Sequence, residues 1–432
     1  MWKRMKKDDE DMTEEGIYLS SFGGSGENGR NCHLIGIRGG YILLDCGVKR
    51  EICGDSVGFY PELTREIVSR IQAVFLSHCH EDHVAALPLL YELGYEGLVY
   101  GTAETLDQVP GFINKWMSYV DSQGGTLPFG MEKAGQIRYA RVALGEQEIG
   151  GFHVTAGRSG HVLGGCWYMF SLEGKKILYT GDMCLDSSGL AIDLPGPCDG
   201  AIMNCAYAGN VMNQAHQYRA LLDSILETVH SGGKVLLPVP SKGRGIDILI
   251  YLEKNLPGIR LYAEQSVADS RMELSGQTRW IKPGMEGRSG PEVTIIRSGE
   301  ERKVALRSEG AAVYLTPDGM ITTPVSLEYY EFLKGDYGNK IIITGHAALG
   351  TMGYAVLDKT CREQCKIRAI GEKIVFKVHM DDDDVVALCS RIRAREVILF
   401  HSGWECTGEV VRRLEKLNVC AKTLRYPEAV KL

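Results

Sequence analysis

The sequence predicts a layered α/β protein built in two parts. Three observations carry this expectation: short apolar runs bounded by Gly, Asn and Asp fill the first half of the chain, helical stretches separate some of them, and beyond about Val211 strand and helix alternate regularly. Tyr41–Leu44, Ala73–Leu76, Lys176–Tyr179 and Ala201–Met203 read as buried strands. Leu63–Ile71, Val84–Leu93 and Glu104–Val120 read as helices between them. The second texture opens with helix Gln214–Val229, which stops at Ser231-Gly232-Gly233. Strand Lys234–Val239 and helix Gly245–Leu252 follow, and the alternation runs on through Ile259–Ala263, Ala311–Leu315, Leu327–Leu333 and Lys340–Ile343. That pattern predicts a smaller α/β unit with a parallel sheet. After about Glu372 the first texture returns, with strand Ile374–Val378, helix Asp383–Arg393, strand Glu396–Phe400 and helix Thr407–Leu417.

A chain of 432 residues exceeds one ordinary core and calls for two domains or one domain with a large insertion. The expected division is a charged tail over 1–16, a first segment of the larger domain over 17–208, the smaller domain over 209–371, and a return to the larger one over 372–432. There is no run of eighteen apolar residues, so no membrane span is expected. Met1 to Met12 is charged and lacks the apolar segment of a secretory signal. The 13 cysteines are odd in number, scattered and mostly set in apolar runs, which suits reduced thiols in a cytoplasm. Cys361 and Cys365 could share one helix face, but no second pair accompanies them, so a zinc knuckle is not expected. A net charge of −7 argues against tight, non-specific binding to long nucleic acid.

The chemistry is concentrated in Ser77-His78-Cys79-His80-Glu81-Asp82-His83, where a strand runs straight into a helix. Imidazole and carboxylate are preferred ligands of zinc and manganese. His78 and His80 point the same way in an extended chain, while the start of the helix turns Asp82 and His83 aside. One segment can therefore serve two ions. The alternative, a polar loop that caps the helix through Asp82, leaves so dense a set of ligand types unexplained. Further candidates stand at strand ends: Asp182 in Thr180-Gly181-Asp182, His401 in His401-Ser402-Gly403, and His379 after Val378. His161 lies in the glycine-rich Gly157-Arg158-Ser159-Gly160-His161. Strand ends and adjoining loops are where such architectures gather functional groups.

These residues in this order resemble the metallo-β-lactamase superfamily. Leu43-Leu44-Asp45-Cys46-Gly47 is similar to its first motif, whose aspartate supports the metal loop without binding metal. Four other stretches narrow the resemblance to the β-CASP branch, which includes ribonuclease J and the endonuclease of the cleavage and polyadenylation machinery. They are Gly23-Gly24-Ser25-Gly26-Glu27-Asn28-Gly29-Arg30-Asn31, Leu237-Pro238-Val239-Pro240-Ser241-Lys242-Gly243-Arg244, Thr316-Pro317-Asp318-Gly319-Met320, and Thr344-Gly345-His346 with Gly350-Thr351-Met352-Gly353. The resemblance runs from about residue 18 to 405. It implies an αββα metallo-β-lactamase sandwich with an inserted smaller α/β β-CASP domain. It also implies two zinc (or manganese) ions per chain. His78, His80 and His161 match the ligands of one ion, Asp82, His83 and His401 those of the other, and Asp182 the bridge. Asp45 matches the support of the metal loop and His379 the general acid. Lys242 and Arg244 are the substrate contacts implied.

The chain departs from the family pattern in places. The branch carries an acid where Asn204-Cys205-Ala206-Tyr207 begins, so Asn204 puts an amide at a position counted with His379 and Asp182 in the reaction. That acid lies close to the histidine matched by His379. Its loss predicts a less protonated His379 and a pH optimum displaced to the acid side. Tyr354 stands where relatives commonly have arginine. Asp382, Asp383 and Asp384 suit the first turn of a helix, and Asp381 matches an acid of the family. The function implied is a phosphodiesterase that cleaves RNA, or single-stranded DNA, with a metal-bridged hydroxide. Such an enzyme would work in the cytoplasm without a membrane, and a homodimer is compatible with the sequence. Two other readings stand beside it: a metallohydrolase of this fold acting on a small substrate that is not nucleic acid, and a weakly active binding subunit.

Overall fold

The computed structural model describes residues 16–53, 56–283 and 293–432, so all but Gly16 of the expected charged tail lies outside the described residues. The chain forms two compact units. The first comprises the described residues up to Leu185, then Ile192–Val211 and His379–Leu432. The second comprises Asp186–Ala191 and Met212–Val378.

Two seven-stranded sheets make up the first unit. One is ordered Ala429–Lys431, Tyr18–Gly23, Cys32–Ile37, Gly40–Leu44, Ile71–Phe75, Val99–Gly101, Tyr139–Arg141. The other is ordered Gly145–Ile149, Phe152–Arg158, Cys166–Leu172, Lys175–Tyr179, Gly200–Asn204, Glu396–Phe400, Cys420–Lys422. Alternating side chains of a strand face opposite ways, and every central strand here is apolar on both faces. Ile42, Leu44, Phe75, Tyr168, Phe170, Ile202, Ile398 and Phe400 form one core shared by the two sheets. Their chain neighbours Tyr41, Leu43 and Val74 turn outward onto helix Val109–Ser122. On the other sheet Ala201, Met203, Val397 and Leu399 turn outward onto helices Asp382–Ile392 and Gly408–Glu415. The result is helix, sheet, sheet, helix.

In the second unit six parallel strands are ordered Val293–Ile296, Leu261–Glu264, Ala312–Pro317, Lys234–Val239, Lys340–Ile343, Ile370–Lys373. The sheet is buried on both faces, as parallel sheets are. Val235, Leu237, Val313 and Leu315 belong to one core, and Leu236, Ala312, Tyr314 and Ile341 to another.

Several sequence expectations about elements need correction. The single helix expected over Glu104–Val120 is two, Ala103–Leu106 and Val109–Ser122. The stretch Val84–Leu93 is likewise divided into Glu81–Val84 and Leu87–Glu92. Pro110 and Pro88 cause the breaks, since proline lacks the N–H and fits only a first turn, where both sit. The helix expected over Leu63–Ile71 shrinks to Arg65–Val68. Ile374–Val378 is not a strand: the strand is Ile370–Lys373, and it belongs to the second unit's sheet. Residues 374–378 continue as extended chain whose Ile374 and Phe376 N–H groups donate to Ile343 and Thr344. The chain therefore re-enters the first unit at His379. No described helix is long and apolar enough to cross a membrane, and the twelve cysteines whose side chains are described form no disulfide.

Candidate metal centre

Strands Lys175–Tyr179, Gly200–Asn204 and Glu396–Phe400 run parallel, so their C-terminal ends share one edge of the second sheet. Asp182, Asn204 and His401 stand there. Strand Ile71–Phe75 of the facing sheet leads into His78–His83, and the loop after Phe152–Arg158 adds His161. His401 adopts φ +68°, a left-handed conformation uncommon outside glycine, and its N–H donates to Gly24 O at 2.6 Å. The glycine-rich opening of the chain thus clasps the last ligand candidate, with Ser25–Gly26 paired to Ser402–Gly403.

Two triads converge. His80 Nδ1 lies 3.1 Å from His78 Nε2 and 3.2 Å from His161 Nε2. Asp82 Oδ2 lies 3.0 Å from His401 Nε2 and 3.7 Å from His83 Nε2. Asp182 Oδ2 faces both triads, at 3.4 Å from His83 and His401 and 3.8 Å from His78 and His161. Atoms bound at ~2.0–2.1 Å to one tetrahedral ion stand about 3.3 Å apart, so these spacings fit shared coordination. Among the described residues, groupings fit to hold an ion include His78, His80 and His161, and Asp82, His83 and His401.

The hydrogen bonds decide which ring nitrogen faces the cluster, the one that must give up its proton to bind an ion. Asp45 is fully buried and accepts from Ser77 N at 2.7 Å, Ser77 Oγ at 2.6 Å, His83 Nδ1 at 2.7 Å and the Tyr179 hydroxyl. Since Ser77 gives its hydroxyl proton to Asp45, its oxygen accepts from His78 Nδ1 at 3.0 Å. Both His78 and His83 therefore commit Nδ1 to this network and turn Nε2 to the cluster. Burial, with the ring of His83 adding to it, holds His78 well below the ordinary imidazole range; burial and His161 bring His80 down to about 3. Burial also acts to lower His83, but the charges of Asp182, Asp82 and Asp45 more than offset it and raise that imidazole, so an ion bound there would have to displace a proton from Nε2.

His379 lies beside the triads, its Nδ1 3.4 Å from Asp182 Oδ2 and its ring edge-on to Tyr207 at 5.4 Å. Asn204 is fully buried and donates through Nδ2 to Asp182 Oδ1 at 2.7 Å. Asp381 caps helix Asp382–Ile392 in a capping box with Asp384. In the second unit, Lys242 is paired with Glu273, and the Arg244 guanidinium packs over Gly345, where a Cβ would collide with it. Sequence reasoning assigned no role to Asn31, whose Nδ2 lies 3.2 Å from Asp82 Oδ2 and 2.9 Å from His83 Nε2. It missed Ser77 and Tyr179 as partners of Asp45 too. The only available signal was the place of Asn31 at the end of the glycine-rich run.

A model of the metallo-beta-lactamase superfamily matches residues 25–229. That stretch, a little under half of the chain, is similar to the superfamily's domain. The chain's curated relatives are members of the β-CASP branch over most of the chain. The transcription termination factor FttA of Methanothermobacter thermautotrophicus is 26% identical over 93% of this chain and 66% of its own length. The endoribonuclease YSH1 of Candida albicans is 25% identical over 92% of this chain, which spans only half of that protein. The RNase J-like protein of Methanocaldococcus jannaschii is 26% identical over 96% of this chain and 98% of its own length. A crystal structure of a protein of unknown function from Enterococcus faecalis V583 superposes with a TM-score of 0.62 at 14% identity, covering 96% of this chain and all of that one; it shows the fold alone.

Proposed function

We propose that this chain is a metal-dependent phosphodiesterase that cleaves RNA. The observation that carries the reading is the single oxygen, Asp182 Oδ2, set between the triads His78, His80, His161 and Asp82, His83, His401. In this reading each triad would hold one zinc or manganese ion and Asp182 would serve both, the second unit being the β-CASP insertion. Such a pair of ions supplies a nucleophilic water at neutral pH and offsets charge on the phosphoryl oxygens. Asp45 fixes the tautomers of His78 and His83. His379, 16% exposed and with Nδ1 turned inward to Asp182, offers its other nitrogen to a leaving oxygen and gives it a proton. Lys242 and Arg244 are proposed as phosphate contacts. Relatives named as endoribonuclease and RNase J-like support RNA as the substrate.

The test is metal-reconstituted protein on 5′- and 3′-labelled RNA and on single-stranded DNA, with bis(p-nitrophenyl) phosphate as control. Wild type should shorten or cut RNA. The variant His379→Ala should keep its metal and lose about 10²–10⁴ in rate. Hydrolysis of the control alone would point to a small substrate, and turnover of none of them would end the enzymatic reading. Loss of an ion from His379→Ala would make His379 a ligand.

A further inference from the structure

We propose that Asn204 is the positioning residue of the metal bridge: its amide ties up Asp182 Oδ1 and leaves Oδ2 alone to serve both triads. The inference rests on the metal-centre reading above and goes beyond it, because it assigns the amide to the bridge, where the family pattern would couple this position to the proton donor.

The orientation of the carboxamide follows from its partners. Its nitrogen faces a carboxylate oxygen, which only accepts, at 2.7 Å. Its oxygen accepts from the Ala206 N–H at 3.3 Å, which only donates. Rotating the amide by half a turn would set oxygen against oxygen and N–H against N–H, so the placement is determined. The backbone holds the residue equally well. Asn204 ends strand Gly200–Asn204, pairs with Phe400 in the neighbouring strand, and donates its N–H to Thr180 Oγ1 at 2.9 Å. Thr180 stands two residues before Asp182, so one short network fixes both the amide and the carboxylate it grips.

The consequence for Asp182 is geometric. The contacts of 3.4–3.8 Å with His78, His83, His161, His379 and His401 are made by Oδ2, while Oδ1 accepts from Asn204 at 2.7 Å. A carboxylate free to rotate could bind one ion through each oxygen. This one presents a single atom to both. An acid at position 204 would replace the donor by an acceptor and leave Asp182 Oδ1 facing another oxygen. The amide is thus a donor matched to an acceptor and not merely a weakened acid.

The isosteric variant Asn204→Asp tests the donor without changing side-chain volume, and Asn204→Ala removes it. Metal content and affinity are read by competition with a chromophoric chelator, and the magnetic coupling of a manganese-loaded pair by electron paramagnetic resonance. Both variants should keep wild-type circular dichroism, lose about 10–100-fold in affinity for the ion pair, and show altered coupling. Wild-type affinity and coupling in Asn204→Asp would overturn the inference, as would tighter binding. If neither variant folds, a crystal structure of metal-loaded wild type decides: both ions on Oδ2 with Oδ1 on Asn204 supports the inference, and one ion on each oxygen overturns it. Wild-type protein that binds no ion pair would instead overturn the metal-centre reading itself.

Discussion

Asp45 shows what one buried carboxylate does for the loop that carries His78 to His83. It accepts from four donors and is fully shielded from solvent, so its lone pairs are committed before any ion arrives. Its grip on the His83 Nδ1–H makes Nε2 the nitrogen that faces the cluster. In Asp45→Asn, an amide nitrogen replacing Oδ2 would face that N–H and drive the proton to the ligand nitrogen. The alternative rotamer would set the amide against the Ser77 N–H. Metal affinity should fall by ~10–100-fold, as with other partners of metal ligands. Chelator competition measures it, and an unchanged affinity would refute this role. The ligand candidates themselves were legible in the sequence, because ligand types gathered at strand ends need no knowledge of packing. The residues behind them were not. Tyr179 lies 134 positions from the aspartate it meets, and nothing about its local sequence distinguishes it from any apolar strand residue. Asn204 was noticed for the charge it lacks, whereas the structure shows the donor it provides.

At the scale of elements, the loop that carries Asp82 and His83 is held by a close approach of two chain segments. The Cys46 N–H donates to His83 O at 2.7 Å, and the Gly47 N–H to Asn31 O at 3.0 Å. A Cβ on Gly47 would lie 1.7 Å from the carbonyl oxygen of Asp82. That contact is with backbone and cannot be relieved by a side-chain rotation, so Gly47→Ala must move the loop that carries Asp82 and His83. Elemental analysis of the purified variant should show loss of at least the ion assigned to Asp82, His83 and His401. Full occupancy would mean that the strand Gly40–Leu44 and the loop can part without disturbing the ligands. The glycine was visible in the sequence as part of a motif, but its reason is a contact across 35 residues of chain. Periodicity gave the strands well, since residues buried on both faces form unbroken apolar runs. It failed at Pro88 and Pro110, where apolar spacing continues through a break, and at residues 374–378, where burial continues after strand pairing has ended.

At the scale of the molecule, every residue of the proposed metal centre, with His379 and Asn204, lies in the first unit. The two-part division was readable from the change in texture; the resumption at His379 was not, because residues 370–378 are apolar enough to suit either unit. The second unit carries its own two apolar cores on either side of its sheet. Ions bound by the native state stabilise it, by about 2.7 kcal/mol at a hundredfold excess over the dissociation constant. The effect should be felt wherever local opening must release a ligand. The N–H groups that close the site's loops are those of Asn31 on Asp82 O, Cys46 on His83 O, Gly47 on Asn31 O, Cys184 on Ser159 O and His401 on Gly24 O. Opening any of these bonds moves a ligand or the segment beside it. Hydrogen exchange followed by mass spectrometry, with and without metal, should therefore show slowed exchange in peptides spanning 31–47, 77–86, 157–165, 180–184 and 400–404. Peptides covering Lys234–Val239 and Ala312–Pro317 should change far less, because their strands pair only within the second unit's sheet. Equal slowing in both sets would show that metal acts on the whole chain as one cooperative body, and no slowing in the first set would place the ions elsewhere.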